Sequence, residues 1–287
     1  MGEVVPYSKK TKRRPSITRK AKIAAAICAA LVVVLVFGGL YLRQQEVIRE
    51  NAGAAKQYTP SPVEAITAPP TDATEDQPDG SLNDPSTPYT VNLLGDSTGN
   101  DVGEFVYQAF TTLGEETGRP VIIHNWSTDT NSYLTETQVS EGEGEPIVVW
   151  NGSAPGKSPA YSLELAAKLM PETPDLLVIN HGHNAATAPQ AVNGIQSLAV
   201  LPQRLFEQET EVMVTLQNPR LDDGDAIHDQ IVEQLKNVYA ETDVTLVDVD
   251  AAFRAGDITA YLNDDGLHPS QAGSTVWAET FLQALKG

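Results

Sequence analysis

From residue 89 to the end of the chain, short apolar runs alternate with longer amphipathic runs. Six short runs have strand length and several are continuously apolar: 90–94, 121–125, 147–151, 176–180, 211–216 and 244–249. Five longer runs have helical periodicity: 102–117, 160–169, 190–208, 226–241 and 271–286. Pro202 is expected to kink or split the third of these. The alternation predicts βαβ units and a mainly parallel sheet with helices on both faces, interrupted by a β-hairpin insertion at residues 126–146.

Four polar segments occupy equivalent places in this pattern. Three of them follow apolar strand runs, and the fourth precedes the last helical run: Gly95-Asp96-Ser97, 151–156, Gly182-His183-Asn184, and 264–269. Open α/β sheets bind their ligands at the carboxyl edge of the strands. We therefore expect the four segments to meet at that edge and to form one site.

Ser97 is a candidate nucleophile in this site. A serine needs a neighbouring base, and the base needs a group that orients it. His268 is the candidate base and Asp265 the candidate orienter, since three residues apart in a tight turn they can approach one point. Asp264 competes with Asp265 for that role, although the spacing favours Asp265. A structural alternative for Ser97 is a helix cap, and for His268 a surface position before a helix.

The oxyanion of a tetrahedral intermediate requires hydrogen-bond donors that are already in place. The backbone N–H groups of Ser97 and of a glycine, together with the Asn184 side-chain amide, are candidates. His183 is expected to line the substrate pocket. His181 and His183 could suggest a metal, but no carboxylate or cysteine cluster with ligand spacing accompanies them, so no metal or cofactor is expected.

The order of these four segments resembles the SGNH, or GDSL-type, hydrolase family from about residue 89 to the C-terminus. The serine segment matches through Ser97, the Gly-x-Asn segment through Asn184, and the Asp-x-x-His-Pro segment through Asp265 and His268. The family's second segment, of the type Asn-x-x-x-x-Gly, matches through Gly156.

The resemblance implies a flavodoxin-like three-layer α/β/α sandwich and a serine esterase. It also implies that Gly156 is the oxyanion-hole glycine, with Gly152 as the runner-up. The chain departs from the family where Ala185 follows Asn184, because the family commonly has aspartate there. We expect only a changed hydrogen bond behind the asparagine.

The N-terminal region predicts a membrane anchor. Residues 23–42 are uncharged and apolar, and as a helix they would span about 30 Å, the thickness of a bilayer's hydrocarbon core. Eight Lys or Arg residues and one Glu precede them in the tail 1–22, which the positive-inside rule places in the cytoplasm. A cleaved signal peptide and a lipoprotein signal around Cys28 are the alternatives.

Residues 43–88 are rich in proline, threonine and acidic residues and are interpreted as a disordered tether to the domain 89–287. The formal net charge is −19 although the tail is basic, so the remainder is strongly acidic and disfavours nucleic acid as a partner.

The expected protein is a single-pass cell-membrane enzyme with an extracytoplasmic esterase domain. Its expected substrates are acyl esters, such as O-acetyl or other acyl groups on an envelope glycan or lipid. Two alternatives are an acyltransferase that uses the same residues, and an inactive module that binds a glycan or a partner. The sequence leaves the oligomeric state, acyl chain length and natural substrate open.

Overall fold

The computed structural model describes residues 81–286. The predicted cytoplasmic tail and transmembrane helix, and the linker up to residue 80, lie outside these residues. Within 81–286, none of the helices combines the length and the apolar character that crossing a bilayer requires.

Within residues 81–286, eight strands form one mainly parallel sheet. Their bounds are β1 Tyr89–Gly95, β2 Val121–Ser127, β3 Ser132–Tyr133, β4 Thr137–Ser140, β5 Ile147–Ser153, β6 Leu176–Asn180, β7 Glu211–Leu216 and β8 Thr245–Asp248. They lie in the order β3-β2-β5-β1-β6-β7-β8, with β4 also paired to β2. Only β3 and β4 run antiparallel to their neighbour. All six predicted strands are therefore confirmed, together with the parallel sheet.

Nine helices are present between residues 81 and 286. They are α1 Phe105–Thr117, α2 Pro159–Glu164, α3 Ala166–Leu169, α4 Ala188–Ala199, α5 Leu201–Phe206, α6 Asp225–Tyr239, α7 Val249–Arg254, α8 Ile258–Tyr261 and α9 Gln271–Lys286. Pro202 lies in the first turn of α5 and marks the predicted split of the 190–208 run. The helices α7 and α8 are not among the five helical runs that the sequence pattern predicts. Both are shorter than two turns, but Asp248 and Asp257 cap them by accepting backbone N–H groups.

Two apolar cores, one on each face of the sheet, make this a three-layer structure. One core contains α1, α7 and α9 with strand residues such as Val91 and Val178. The other contains α3 to α6 with strand residues such as Leu177 and Ile179. Consecutive strand residues belong to opposite cores because successive side chains point to opposite faces. Burial on both faces explains why the central strand sequences are continuously apolar.

The strand order places a crevice beside β1. The chain passes from β1 to β2, returns through β5 next to β1, and then crosses to β6 on the other side of β1. A reversal of this kind opens a crevice at the carboxyl ends of the strands. The layers are flavodoxin-like as expected, but the order is not, because β5 separates β1 from β2.

The two strands of the 126–146 insertion pair with β2 and not with each other. Both β3 and β4 pair with β2, at its C-terminal and N-terminal halves respectively. The chain after β2 thus folds back and forms one interrupted edge strand along it. The predicted hairpin exists, with β2 as its first strand.

The folded body begins before the predicted boundary at residue 89. Arg119 is 1% exposed, and its guanidinium donates to backbone carbonyls of Ser81, Leu82, Asp84 and Thr87. It also donates to the carbonyls of residues 145 and 146 in the body of the domain. A buried arginine therefore holds the backbone of residues that the sequence pattern assigns to the linker.

Candidate active site

Three central strands end side by side at the carboxyl edge of the sheet. Gly95 at the end of β1 pairs with Ser153 of β5 and with Asn180 of β6. Beyond the strands, Asp96 N–H donates to Asn180 O and Ala154 N–H donates to Gly95 O. The first three polar segments therefore emerge from the sheet next to one another, as the sequence predicts.

Ser97 and His268 are in hydrogen-bond contact across this edge. The Ser97 Oγ lies 2.8 Å from His268 Nε2, and His268 Nδ1 lies 2.7 Å from Asp265 Oδ2. An ionised carboxylate can only accept, so in the neutral imidazole the proton is on Nδ1. The unprotonated Nε2 then faces the serine hydroxyl, which is the arrangement that a general base requires.

A tight turn holds Asp265 in place. One oxygen of Asp265 accepts the backbone N–H groups of Leu267 and His268, at 2.9 and 3.0 Å, while the other accepts from the imidazole. Burial raises the pKa of Asp265, but these three hydrogen bonds outweigh it and bring the pKa to about 2. Gly266 has a φ of 66°, a conformation that suits glycine. Asp265, and not Asp264, thus contacts the imidazole.

The Asn184 amide is buried without a partner. Its Nδ2 has no hydrogen-bond acceptor among residues 81–286, although the asparagine lies directly after Gly182 and His183 at the sheet edge. Buried donors of this kind are rare, because leaving one unpaired costs about 1–3 kcal/mol. An unused amide donor in the segment after β6 is a candidate for stabilising a developing oxyanion.

The two candidate glycines differ in position. Gly156 is exposed in the loop after β5, with a φ of 72° and open space where a Cβ would lie. Gly152 is buried within β5, where a Cβ would lie 2.8 Å from Leu93 O. Only Gly156 is in a loop that could present its N–H to a ligand.

His183 lines a pocket of about 180 Å³. The other lining residues are Gly182, Ala185, Arg220, Gly224, Ile227, His228 and Ile231. The His183 Nε2 donates to Asn218 O at 3.0 Å, since a carbonyl can only accept. Burial lowers the pKa of His183 to about 4, against the attraction of the Asp96 carboxylate. The imidazole is therefore neutral at neutral pH.

His181 and His183 have different partners. The His181 Nε2 lies 2.8 Å from Ser162 Oγ in α2. Within residues 81–286, the group with metal-ligand spacing is instead formed by His228, Asp229 and Asp250. Both of its carboxylates already accept hydrogen bonds from Arg254.

Three polar residues around the site, Asp96, Glu104 and Gln217, are not among the predicted site residues. Asp96 is fully buried and accepts from both Thr98 and Gln217, which lies directly after β7. Glu104 accepts the N–H of Asp101; burial raises its pKa to about 7, and His268 is among the charges that influence it. The signal that could have revealed Gln217 is its position, a polar residue immediately after an apolar strand run.

Comparison with protein families matches residues 93–276 to the GDSL-like lipase/acylhydrolase family. The chain belongs to this family. The match begins within β1 and includes the other seven strands, the serine segment and the His268 turn, and it confirms the predicted class of carboxylic ester hydrolase. A comparison with curated proteins gives no match.

Solved structures share the fold. A lipase/acylhydrolase from Enterococcus faecalis aligns with a TM-score of 0.51 at 17% identity, covering 69% of this chain and 96% of the other. The acetylxylan esterase Axe2 from Geobacillus stearothermophilus aligns with a TM-score of 0.50 at 18% identity, covering 69% and 94%. The α/β hydrolase LAE5 from the metagenome of Lake Arreo, Spain, aligns with a TM-score of 0.50 at 17% identity, covering 69% and 95%.

Proposed function

We propose that this GDSL-family domain hydrolyses acyl esters through Ser97, His268 and Asp265. The observation that carries the proposal is the continuous hydrogen-bond chain from Ser97 Oγ through the imidazole to the Asp265 carboxylate, at 2.8 and 2.7 Å. In this chain His268 is positioned to accept the Ser97 proton, and the Asp265 carboxylate sets the tautomer of His268 that can do so.

In the first half-reaction, Ser97 Oγ attacks the ester carbonyl carbon while its proton passes to His268 Nε2. The carbonyl oxygen becomes an oxyanion, which the Asn184 amide and the backbone N–H groups of Ser97 and Gly156 stabilise. The carbon–oxygen bond to the alcohol then breaks, and the imidazolium returns the proton to the leaving oxygen. An acyl-serine and a free alcohol result.

In the second half-reaction, water attacks the acyl-serine and gives a proton to His268 Nε2. A second tetrahedral intermediate forms in the same oxyanion site. Its bond to Ser97 Oγ breaks, the proton returns to that oxygen, and the carboxylic acid leaves. All proton transfers in both half-reactions use side chains of this chain, so the proposed cycle uses no cofactor.

The substrate class proposed is a short acyl ester on an envelope glycan or lipid. The pocket is lined by Gly182, His183 and Ala185, the chain neighbours of Asn184 on either side, and it is small, which suits a compact substrate group. Acetylated xylan is a reasonable polymeric probe because a structure with the same fold is an acetylxylan esterase. The location proposed is the outer face of the cell membrane, on the basis of the apolar run 23–42 and the basic tail that precedes it.

The experiment is hydrolysis of p-nitrophenyl acetate by the full-length chain in mild detergent, with Ser97→Ala and His268→Ala beside it. We expect turnover by the wild type and a loss of about 10⁴-fold or more in kcat for each variant. A folded wild type that neither cleaves the ester nor reacts with a fluorophosphonate would contradict the proposal and favour a binding module.

Two further measurements test substrate and location. Product analysis with and without acceptor sugars distinguishes hydrolysis from acyl transfer, which would give acylated sugar in place of free acid. Protease treatment of intact cells tests location, because the proposal requires the domain to be accessible while the tail 1–22 is protected.

A further inference from the structure

Gln217 joins two parts of the candidate site that are far apart in the sequence. It is 3% exposed and lies directly after β7. Its Oε1 accepts the backbone N–H of His183 at 2.9 Å, and its Nε2 donates to Asp96 Oδ2 at 3.0 Å. Asp96 immediately precedes Ser97, and His183 immediately precedes Asn184.

We infer, on the basis of the function proposed above, that Gln217 is a positioning residue that fixes the oxyanion amide of Asn184 relative to the nucleophile Ser97. Each residue that it holds is one peptide unit from a group proposed to act on the substrate. A displacement of about 1 Å in such a group can cost about 100-fold in rate. Gln217 therefore acts on the reaction through its neighbours, without contact with the reacting atoms.

The surroundings determine which end of the carboxamide faces which partner. The His183 N–H requires an acceptor, while the Asp96 carboxylate requires a donor, so only one orientation of the amide satisfies both. The Nε2 also lies within 3.2–3.3 Å of acceptors on Asn180 and Thr98. A glutamate of the same shape would place an oxygen against the Asp96 carboxylate.

The Gln217 amide is held by hydrogen bonds on both sides, and its approach to His183 passes close to Gly182. A Cβ on Gly182 would lie 2.8 Å from the Gln217 Oε1, so this approach depends on glycine at 182. On the other side, Asp96 also accepts the N–H and hydroxyl of Thr98, which orients its carboxylate. The link is therefore a rigid one between the loops after β1 and β6.

His183, next to Asn184, is held at three points. Its N–H bonds to Gln217, its ring to Asn218 O, and its carbonyl accepts from Arg220 Nη1 at 2.9 Å. Gln217 is the one of the three that also reaches the serine segment.

The test is Gln217→Glu in the full-length chain, assayed with p-nitrophenyl acetate across pH 5.5–8.5. At pH 8 the new carboxylate repels Asp96, and we expect kcat to fall about 10- to 100-fold with KM within about threefold. As the pH falls the new carboxyl takes up a proton and can donate to Asp96 as the amide does. The variant-to-wild-type ratio of kcat should therefore rise towards acid pH.

The ratio is informative because any pH dependence of the catalytic groups that the two proteins share cancels in it. The charged and titratable groups around residue 217 are Asp96, His181, His183, His228 and Arg220. All of them are present in both the variant and the wild type, so only the side chain at 217 differs between the two proteins. Gln283→Glu on the exposed face of α9 is the charge-matched control, and its ratio should stay near one at every pH.

A second variant covers the case in which Gln217→Glu does not fold. Gln217→Met keeps the volume but removes both hydrogen-bonding ends, and we expect a similar loss of kcat with no recovery at acid pH. Affinity for a boronic acid, which forms a tetrahedral adduct on the serine, should fall in parallel with kcat because both depend on the oxyanion site.

Unchanged kcat in the folded variants would overturn the inference, and so would a loss that is only in thermal stability. A pH-independent ratio for Gln217→Glu would equally overturn it. If the wild type itself is inert and unlabelled by a fluorophosphonate, the proposed function fails and this inference fails with it. An active wild type with unaffected Gln217 variants refutes the inference alone.

Discussion

Replacing Asp265 with asparagine should reverse the tautomer of the proposed base. The asparagine Oδ1 can still accept the N–H groups of Leu267 and His268, so the turn is kept. The other position, now an NH₂ group, faces His268 Nδ1 and can only donate. The imidazole must then accept at Nδ1 and carry its proton on Nε2, which faces the Ser97 hydroxyl and can no longer receive its proton.

The expected cost is about 10³- to 10⁴-fold in kcat, or about 4–5.5 kcal/mol of transition-state stabilisation. Folding should hardly change. The Asp265 side chain is 51% exposed, and exposed ion pairs contribute about 0–1 kcal/mol. The loss should therefore appear in kcat at constant thermal stability.

The assay is steady-state hydrolysis of p-nitrophenyl acetate, with circular dichroism melting of the same samples. Asp264→Asn is the matched control, because it removes the same charge one residue away from the imidazole contact, and it should keep kcat within about twofold. The reasoning is refuted if Asp265→Asn keeps more than a tenth of the wild-type kcat, or if Asp264→Asn loses as much.

Three other predictions concern the oxyanion site, the buried arginine and acid stability. Asn184→Ala should lower kcat about 10²- to 10³-fold with KM little changed. If the variant lost affinity for an uncleaved amide analogue of the substrate by the same factor, Asn184 would act in ground-state binding and the oxyanion role would be contradicted. Arg119→Met should lower the free energy of unfolding by about 2–4 kcal/mol in urea titration, since the backbone carbonyls that the buried guanidinium bonds lose their donor, while Arg204→Met on an exposed surface should change it by less than about 0.5 kcal/mol. His181 and His183 have folded pKa values of about 4, below the ordinary 6.5, because both are buried. The unfolded chain binds more protons than the folded chain between these two pH values, so the contribution of the two histidines to the free energy of unfolding should be fully present above about pH 6.5 and should fall as the pH drops towards 4. His181→Asn should make the free energy of unfolding depend less steeply on pH in this range. An unchanged dependence in that variant would rule out His181 as a source.

The α/β class followed from the sequence because the two periodicities are local properties. A parallel strand buried on both faces must be continuously apolar, and a helix on one face of a sheet must be amphipathic. Each of the six runs could therefore be identified without knowing its neighbours. The short helices α7 and α8 were not predicted because they contain too few residues to show a helical period. The interrupted edge strand was not predicted because its pairing partner, β2, lies earlier in the chain.

The residues of the candidate site were visible for a similar reason. Ser97, Asn184 and His268 follow or precede strong elements, so their chain positions place them at one sheet edge. The resemblance to a family then supplied Gly156, which no periodicity indicates. The sequence already favoured Gly156 over Gly152 and Asp265 over Asp264. The structure adds that Gly156 lies in the loop after β5 while Gly152 lies within the strand, and that the turn brings Asp265 to the imidazole.

The tertiary structure alone decided the supports of the site. Gln217 lies 121 residues from Asp96 along the chain, and Arg119 bonds to carbonyls up to 38 residues away. No local pattern encodes such contacts, because a buried hydrogen bond depends on which groups the folded chain leaves without water. The sequence by itself determined the fold class and the candidate site residues, while the packing of distant segments determined how those side chains are oriented and held.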